Sequence, residues 1–121
     1  MPKAKVDREQ AEVRGRRAET IAAWWLRLQG WRILARRVRI VGGEVDLIAR
    51  RGRTVAFVEV KQRRSEQTAA WALDEYRLRR VAVAAERLAS RFARTGDIVR
   101  IDAIFIVPRT LPRHLPNVWH G

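Results

Sequence analysis

The chain of 121 residues carries 26 lysine and arginine residues against 13 aspartate and glutamate residues, a formal net charge of +13. Its length suits one domain, its 47% hydrophobic residues suffice for a core, and no apolar run approaches the roughly 20 residues that span a bilayer. The absence of cysteine excludes disulfides and thiolate chemistry, and the absence of an apolar stretch in Met1 to Arg17 argues against a secretory signal, so we expect a cytoplasmic protein that makes no membrane contact.

The basic excess predicts a polyanionic partner. All but three of the basic residues are arginines, whose planar fork suits bidentate contact with phosphate. A GC-rich genome would explain the preference for arginine over lysine, but it would not explain a twofold excess of base over acid. We therefore expect the protein to bind nucleic acid, with DNA as the first candidate and RNA left open.

The first half of the chain alternates between helical and strand periodicity. Residues 1–7 are predicted to be a flexible tail, and residues 8–29 carry apolar side chains at helical spacing. Gly30 follows where a left-handed helix cap would sit. Three strands are then predicted at residues 31–41, 44–49 and 55–60, separated by a turn at 42–43 and a hairpin turn at 50–53.

The second half adds one helix and one strand. A polar connection at residues 62–70 leads to a helix at 73–92, and a strand at 98–107 ends before Pro108. The order of helix, three strands, helix and strand predicts one α/β domain over residues 8–121. Because the second helix is long enough for a crossover, the third and fourth strands can be parallel.

Two predicted strands carry carboxylates among apolar residues. Glu44 and Asp46 lie in the second strand, Glu59 lies in the third, and Lys61 closes it. A carboxylate inside an apolar strand is costly unless it is paired or bound to a cation. The period of two places Glu59 and Lys61 on one face, roughly 6.6 Å apart at their Cα atoms. A hairpin through Gly52 would bring Asp46 to the same end of the sheet.

These residues are compatible with two interpretations, a metal site and a buried salt bridge. Two carboxylates can hold Mg²⁺, and a nearby lysine can orient or deprotonate a water that attacks a phosphate. Alternatively, Glu59 and Lys61 form a buried salt bridge and an arginine holds Asp46. The residue pattern alone does not separate these interpretations.

The motifs carry a resemblance that favours the first interpretation. GEVDLIA at residues 43–49, twelve intervening residues between Asp46 and Glu59, and FVEVKQR at residues 57–63 resemble the PD-(D/E)XK nuclease signature. The pattern resembles most closely the YraN family of small bacterial proteins, which is similar to archaeal Holliday-junction resolvases. The resemblance extends over nearly the whole chain and includes Gly15 to Glu19, Gly30-Trp31 and Arg100-Ile101-Asp102.

This resemblance implies a fold, an activity and a cofactor. The expected fold is a restriction-endonuclease-like α/β core, with a central mixed sheet flanked by helices. The expected activity is hydrolysis of phosphodiester bonds in DNA, including structured or branched DNA, by an endonuclease or exonuclease that depends on Mg²⁺ or Mn²⁺. Asp46 and Glu59 would be the catalytic metal ligands, Lys61 the catalytic lysine, and Glu19 the helix glutamate that often completes such a metal site.

Three further acidic positions keep alternatives open. Glu19 can instead pair with Arg16 on the helix surface. Glu44 is a candidate supporting acid, or a residue at a strand start that pairs with Arg39. Asp102 matches a family aspartate in the last strand, where it can hold an arginine rather than touch metal.

Polar and basic residues near the motif are predicted to contact the nucleic acid. Gln62 follows the catalytic lysine and can support the site by reaching a phosphate, and Trp71 is the best candidate for stacking on a base. The predicted nucleic-acid-binding residues are Arg39, Arg51, Arg53, Arg63 and Arg77.

Two other functional classes compete with the nuclease. One is a nucleic-acid-binding module of the same fold without turnover, in which the acids are structural. The other is an interaction protein that docks on an acidic partner. Since related nucleases often act as dimers, a homodimer is a further expectation of the resemblance.

Overall fold

The computed structural model describes residues 3–65 and 73–121. Trp71 and the rest of the segment 66–72 therefore lie outside the described residues, so the stacking prediction remains open. Within these described residues lie two helices and five strands, in chain order α1 (Lys3–Leu28), β1 (Arg32–Ile40), β2 (Gly43–Arg51), β3 (Thr54–Gln62), α2 (Glu75–Phe92), β4 (Ile98–Ile106) and β5 (Arg113–Leu115).

The strands form one mixed sheet in the order β1-β2-β3-β4-β5. The pairs β1–β2, β2–β3 and β4–β5 are antiparallel, whereas β3 and β4 are parallel. A parallel pair needs a crossover, and α2 supplies it. The predicted α/β fold and the predicted parallel pair are both confirmed.

The two helices cover opposite faces of the sheet. A core of small and branched residues lies under α1, and a second core with one central phenylalanine lies under α2. The α1 core includes Ala18, Ala22, Leu26, Leu47, Val58 and Ile104. The α2 core includes Val45, Ile48, Phe57, Leu78, Val81 and Leu88. The predicted apolar stripe of α2 is thus the face that it buries. The stripe predicted for α1 is buried only in part, because its members Ile21 and Leu28 are exposed.

The observed elements differ from the sequence prediction at both ends of the chain. Helix α1 begins at Lys3, so residues 3–7 are helical rather than a tail. Alanine, lysine, glutamate and arginine are good helix formers, and charge alone does not end a helix. The three-residue strand β5 was not predicted, because it pairs only with β4 and has no strand pattern of its own.

The assignment of residues 8–121 to a single domain stays a prediction, as does the cytoplasmic location. Neither described helix is long and apolar enough to cross a bilayer.

Strand β2 reverses its side-chain pattern at Asp46. A regular strand would place Val45 and Leu47 on the same face, but Val45 lies in the α2 core and Leu47 lies in the α1 core. Arg37, which lies across from this point on β1 between the paired residues Arg36 and Val38, has a left-handed backbone with φ of 51°. The reversal frees Asp46 from both core layers, and its side chain can turn toward the neighbouring strand β3.

Gly43 allows α2 to pack closely against the start of β2. A Cβ atom at this position would lie 2.8 Å from the Ala84 nitrogen and 3.1 Å from the Arg80 carbonyl oxygen, both in the α2 backbone. Gly43→Ala therefore forces the helix away from the sheet, and we expect a loss of about 1–3 kcal/mol in the free energy of unfolding. Urea denaturation measures this loss.

Gly15 supplies the matched control for that substitution. It lies inside α1, and a Cβ atom there would meet nothing within 4 Å. Gly15→Ala should raise stability by up to about 1 kcal/mol, because alanine is the better helix former. Equal effects of the two substitutions would contradict the close packing at Gly43.

Candidate active site

The two predicted metal-binding carboxylates lie next to each other at one end of the β2–β3 hairpin. Pairing of the hairpin runs from Arg51–Thr54 to Leu47–Val58, and one further step places Asp46 opposite Glu59. Instead of a regular ladder bond, the Val60 backbone nitrogen donates to Asp46 Oδ2 at 2.7 Å. Both acids are buried, with exposed fractions of 8% for Asp46 and 3% for Glu59.

Burial and a neighbouring acid change the protonation of Asp46. Desolvation, followed by the charge of Glu59, raises the pKa of Asp46 to about 8. A hydrogen bond between the two carboxyl groups and the charge of Glu19 act in the same direction, whereas the Val60 N–H opposes them. Without a cation at the site, the pair therefore holds a proton at neutral pH.

Lys61 lies on the same face of β3 as Glu59, facing α2. The residues Val55 and Phe57 on this face belong to the α2 core, and Glu59 and Lys61 continue the alternation. Burial lowers the pKa of Lys61, while Glu59 raises it and Arg77 adds to the lowering. A lysine with a lowered pKa is better able to accept a proton near neutral pH.

Arg77 holds the buried Glu59. Its Nε and Nη2 atoms donate to Glu59 Oε1 at 3.3 and 3.1 Å. The sequence left open a Glu59–Lys61 salt bridge, but the ion-pair partner of Glu59 in the described part of the chain is Arg77. Arg77 also lies 3.8 Å from Glu44, so it connects two acids of the site. The prediction that Arg77 contacts nucleic acid stays untested, although the structure does place it at the site.

Glu44 is surrounded by arginines. Its oxygens lie 3.9 Å from Arg39 Nε and 3.7 Å from Arg80 Nη2, in addition to Arg77. The predicted pairing with Arg39 is therefore present, at the limit of an ion pair. The sequence analysis did not predict Arg80 as a partner of Glu44. Arg80 lies three residues after Arg77 on the same side of a helix, and this spacing is the signal that could have identified it.

Glu19 reaches the cleft from α1 but is engaged by Arg37. Arg37 Nε donates to Glu19 Oε1 at 2.6 Å, so its partner is Arg37 and not the predicted Arg16. Glu19, Asp46 and Glu44 line a cleft of about 380 Å³ together with Arg16 and Arg39. Within residues 3–65 and 73–121, no group of three or more His, Cys, Asp or Glu side chains is close enough to hold an ion. The role of Glu19 as a third ligand stays a prediction.

Asp102 and Gln62 lie away from this cleft. Asp102 pairs in register with Val58, on the α1 side of the sheet, whereas Glu59 faces α2. It accepts hydrogen bonds from Arg100, His114 and the Asn117 backbone. Gln62 lines a separate apolar cleft beside α1. The alternative in which Asp102 holds an arginine is what the structure shows.

Asp102 anchors the C-terminal segment to the sheet. Its exposed fraction is 0%, and although burial would raise its pKa, hydrogen bonds from His114, Asn117 and Arg100 hold that pKa below the usual range. Removing one partner of a buried ion pair costs about 3–5 kcal/mol. We expect Asp102→Ala to lower the free energy of unfolding by about 3 kcal/mol, measured by urea denaturation. Glu86→Ala, at an exposed position of α2, is the control, and a comparable small effect at both positions would contradict the anchoring role.

The other predicted nucleic-acid contacts are divided between the two ends of the sheet. Arg39 lines the acidic cleft, and Arg63 directly follows β3 and influences Lys61 electrostatically. Arg51 and Arg53 flank the β2–β3 turn, at the opposite end of that hairpin from Asp46. Arg51 stacks over Trp31 at 4.7 Å and donates to the Gln29 carbonyl. Arg51 and Arg53 are close to the carboxylates in sequence, but the length of the hairpin separates them from Asp46 in the structure. Their contact with nucleic acid stays a prediction.

With this geometry in place, comparison with known proteins identifies the family. A profile of the family described as "Uncharacterised protein family UPF0102" matches residues 18–106. The chain belongs to the UPF0102 family. A UPF0102 protein of Sphingopyxis alaskensis is 63% identical over 112 residues, which are 93% of this chain and 97% of that protein. One of Rhizorhabdus wittichii is 60% identical over 114 residues, covering 94% and 97% of the two chains. The YraN resemblance is thereby confirmed.

A solved structure supports the fold assignment for this UPF0102 member. A Holliday junction resolvase of Archaeoglobus fulgidus, Hjc, superposes with a TM-score of 0.59 and 21% sequence identity. The match covers 85% of this chain and 72% of the resolvase. At this identity the similarity establishes the restriction-endonuclease-like fold, and the chemistry rests on the residues of the site.

Proposed function

We propose that this protein is a metal-dependent nuclease that hydrolyses phosphodiester bonds in DNA. The observation that carries the proposal is the pair of adjacent buried carboxylates, Asp46 and Glu59, in a chain with a net charge of +13. Burial and the charge of Glu59 raise the pKa of Asp46, and holding the two acids together is unfavourable for folding unless a cation binds them. The similarity of the fold to a Holliday junction resolvase supports DNA as the substrate, including branched DNA.

The donor set fits Mg²⁺ or Mn²⁺. One oxygen of Asp46 accepts from the Val60 backbone and one oxygen of Glu59 accepts from Arg77. The second oxygen of each acid would become available to a cation once the proton between the two carboxyl groups is released. Magnesium is commonly held by one or two carboxylates, with waters and phosphate oxygens as its remaining ligands. When bound, the metal would supply an activated water and neutralise charge on the phosphate.

Four kinds of role would then fall to residues of the chain: orienting Asp46, accepting a proton, holding Glu59 and binding the DNA backbone. Val60 fixes the orientation of Asp46 through its backbone N–H. Lys61, with its lowered pKa, is suited to take a proton from the attacking water. Arg77 holds Glu59 before the substrate arrives and can neutralise a phosphate beside it. Arg39 and Arg63 would extend this grip on the DNA backbone.

A cleavage assay tests the nuclease. Purified protein is incubated with supercoiled plasmid, linear duplex, single-stranded DNA and a four-way junction, in Mg²⁺, Mn²⁺ or EDTA. We expect cleavage in either metal and none in EDTA, and nicking of closed plasmid would identify an endonuclease. Salt-sensitive DNA binding with no cleavage in any metal would refute the enzyme and favour the binding module. Weak DNA binding despite the charge would favour an acidic protein partner.

The homodimer stays a prediction, which analytical ultracentrifugation of the purified protein can test.

A further inference from the structure

The arginines of α2 are not spread evenly around the helix. Arg80, Arg87 and Arg91 follow each other at spacings of seven and four, which places them on one face within about 40° at 3.6 residues per turn. The only acids of α2, Glu75 and Glu86, lie on another face, which they share with Arg79. A bias in codon usage would not place the basic and the acidic residues on different faces of the helix.

This basic face leads to a second cleft, far from the carboxylates. The far cleft has a volume of about 390 Å³ and is lined by Arg32, Arg50, Arg91 and Arg94. Arg50 lies four residues after Asp46 on β2, roughly 13 Å along the strand. We call Arg80, Arg87 and Arg91, together with Arg32 and Arg94 of the far cleft, the arginine track.

Much of the charge on the track is uncompensated. Asp97 pairs with Arg50 at 2.7 Å, and Glu44 lies 3.7 Å from Arg80. Within the described residues, the guanidinium groups of Arg32, Arg87 and Arg91 have no carboxylate within ion-pair distance. The guanidinium of Arg94 forms no ion pair either, although its backbone nitrogen donates to Asp97 Oδ2 at 2.7 Å. Arg87 is nevertheless held in place, because its Nη1 donates to the Val41 carbonyl at 2.7 Å. Ordered arginines without acids are what a phosphate backbone would use.

We propose that the arginine track binds the backbone of duplex nucleic acid outside the cleavage site. From Arg77, which holds Glu59, to Arg91 the helix advances about 21 Å. That length corresponds to about six base pairs of duplex at 3.4 Å each. The described side chains of the α2 face from Arg80 to Arg91 include no aromatic ring to stack on the bases of a single strand. Phe92 in the far cleft is half-buried, and Arg91 lies over its ring at 5.9 Å. The inference rests on the proposed nuclease and adds the direction in which its substrate extends.

Binding measurements in EDTA test the track without requiring cleavage. Fluorescence anisotropy compares wild type with Arg87→Gln/Arg91→Gln/Arg94→Gln on duplexes of 8 and 24 base pairs over a range of salt concentrations. For the longer duplex we expect at least a tenfold loss of affinity and a salt slope reduced by about 3, at about 0.9 for each lost phosphate contact. The shorter duplex is about 27 Å long, so it reaches Arg91 only when one of its ends lies at the cleavage site, and its loss of affinity should be smaller than that of the longer duplex.

A second triple variant controls for net charge. Arg27→Gln/Arg79→Gln/Arg109→Gln removes the same charge at exposed positions off the track and should change the salt slope by less than 1. Equal losses in the two variants would overturn the proposal, as would an equal loss on single-stranded DNA of the same length. An equal loss on duplex RNA would support backbone recognition. None of these binding measurements needs metal. A wild-type protein that cleaves no DNA would therefore refute the proposed nuclease, whereas the binding measurements alone would decide whether the arginine track binds duplex.

Discussion

Replacement of Glu59 by glutamine should abolish metal-dependent DNA cleavage while leaving DNA binding almost intact. The substitution keeps the shape of the side chain but removes the charge that a divalent cation and Arg77 both require. Asp46→Asn removes the other carboxylate, and Lys61→Ala removes the proposed proton acceptor. Loss of a metal ligand should lower the cleavage rate at least about 10³-fold, and loss of the lysine about 10²- to 10⁴-fold. Initial rates on the best wild-type substrate measure both effects.

The controls separate catalysis from binding and folding. Glu75→Gln changes an exposed acid at the start of α2 and should keep the wild-type rate. Anisotropy on the same DNA in EDTA should show at most a few-fold change for each variant, because the backbone contacts belong to arginines. Wild-type cleavage rates in Glu59→Gln and Asp46→Asn would show that these acids are structural.

The sequence predicted the carboxylate pair because short-range rules determine it. The turn at Gly52 fixes the register of the hairpin, and that register places Asp46 opposite Glu59. The period of two then places Lys61 beside Glu59. No contact with a distant part of the chain is needed for this arrangement, and the residue pattern and the family resemblance therefore agreed on it.

Contacts between distant elements were harder to predict. Arg77 reaches Glu59 because α2 approaches β2 at Gly43, a packing event that neither local sequence reveals. The face of Asp102 depends on the register of the parallel pair β3–β4, and a shift of one residue would have turned it toward Glu59. The reversal of β2 at Asp46 likewise interrupts the alternation on which sequence analysis depends.

The metal-free protein should lose stability as the pH rises from about 4 to about 8. The ordinary pKa of an aspartate is 3.8, and burial together with Glu59 raises that of Asp46 to about 8 in the folded protein. Between these values the folded state binds a proton that the unfolded chain has released, so the free energy of unfolding falls with pH. At about 1.4 kcal/mol for each pH unit, the loss has an upper limit of about 6 kcal/mol. The lowered pKa of Lys61 acts in the opposite direction in the alkaline range below 10.5.

Asp46→Asn isolates this effect because it removes one titrating group and leaves the others. Urea denaturation in EDTA from pH 5 to pH 9 should show the variant gaining stability over wild type as the pH rises, with the difference levelling off above pH 8. Saturating Mg²⁺ should stabilise wild type most at the alkaline end, since below pH 8 the metal must displace a proton from the carboxyl pair. The variant should gain little from Mg²⁺ at any pH. A constant difference between the two proteins across this range would mean that Asp46 is already ionised in the metal-free state. The Val60 N–H on Asp46 and Arg77 on Glu59 would then be enough to hold both charges, and the site would not need a cation to be stable.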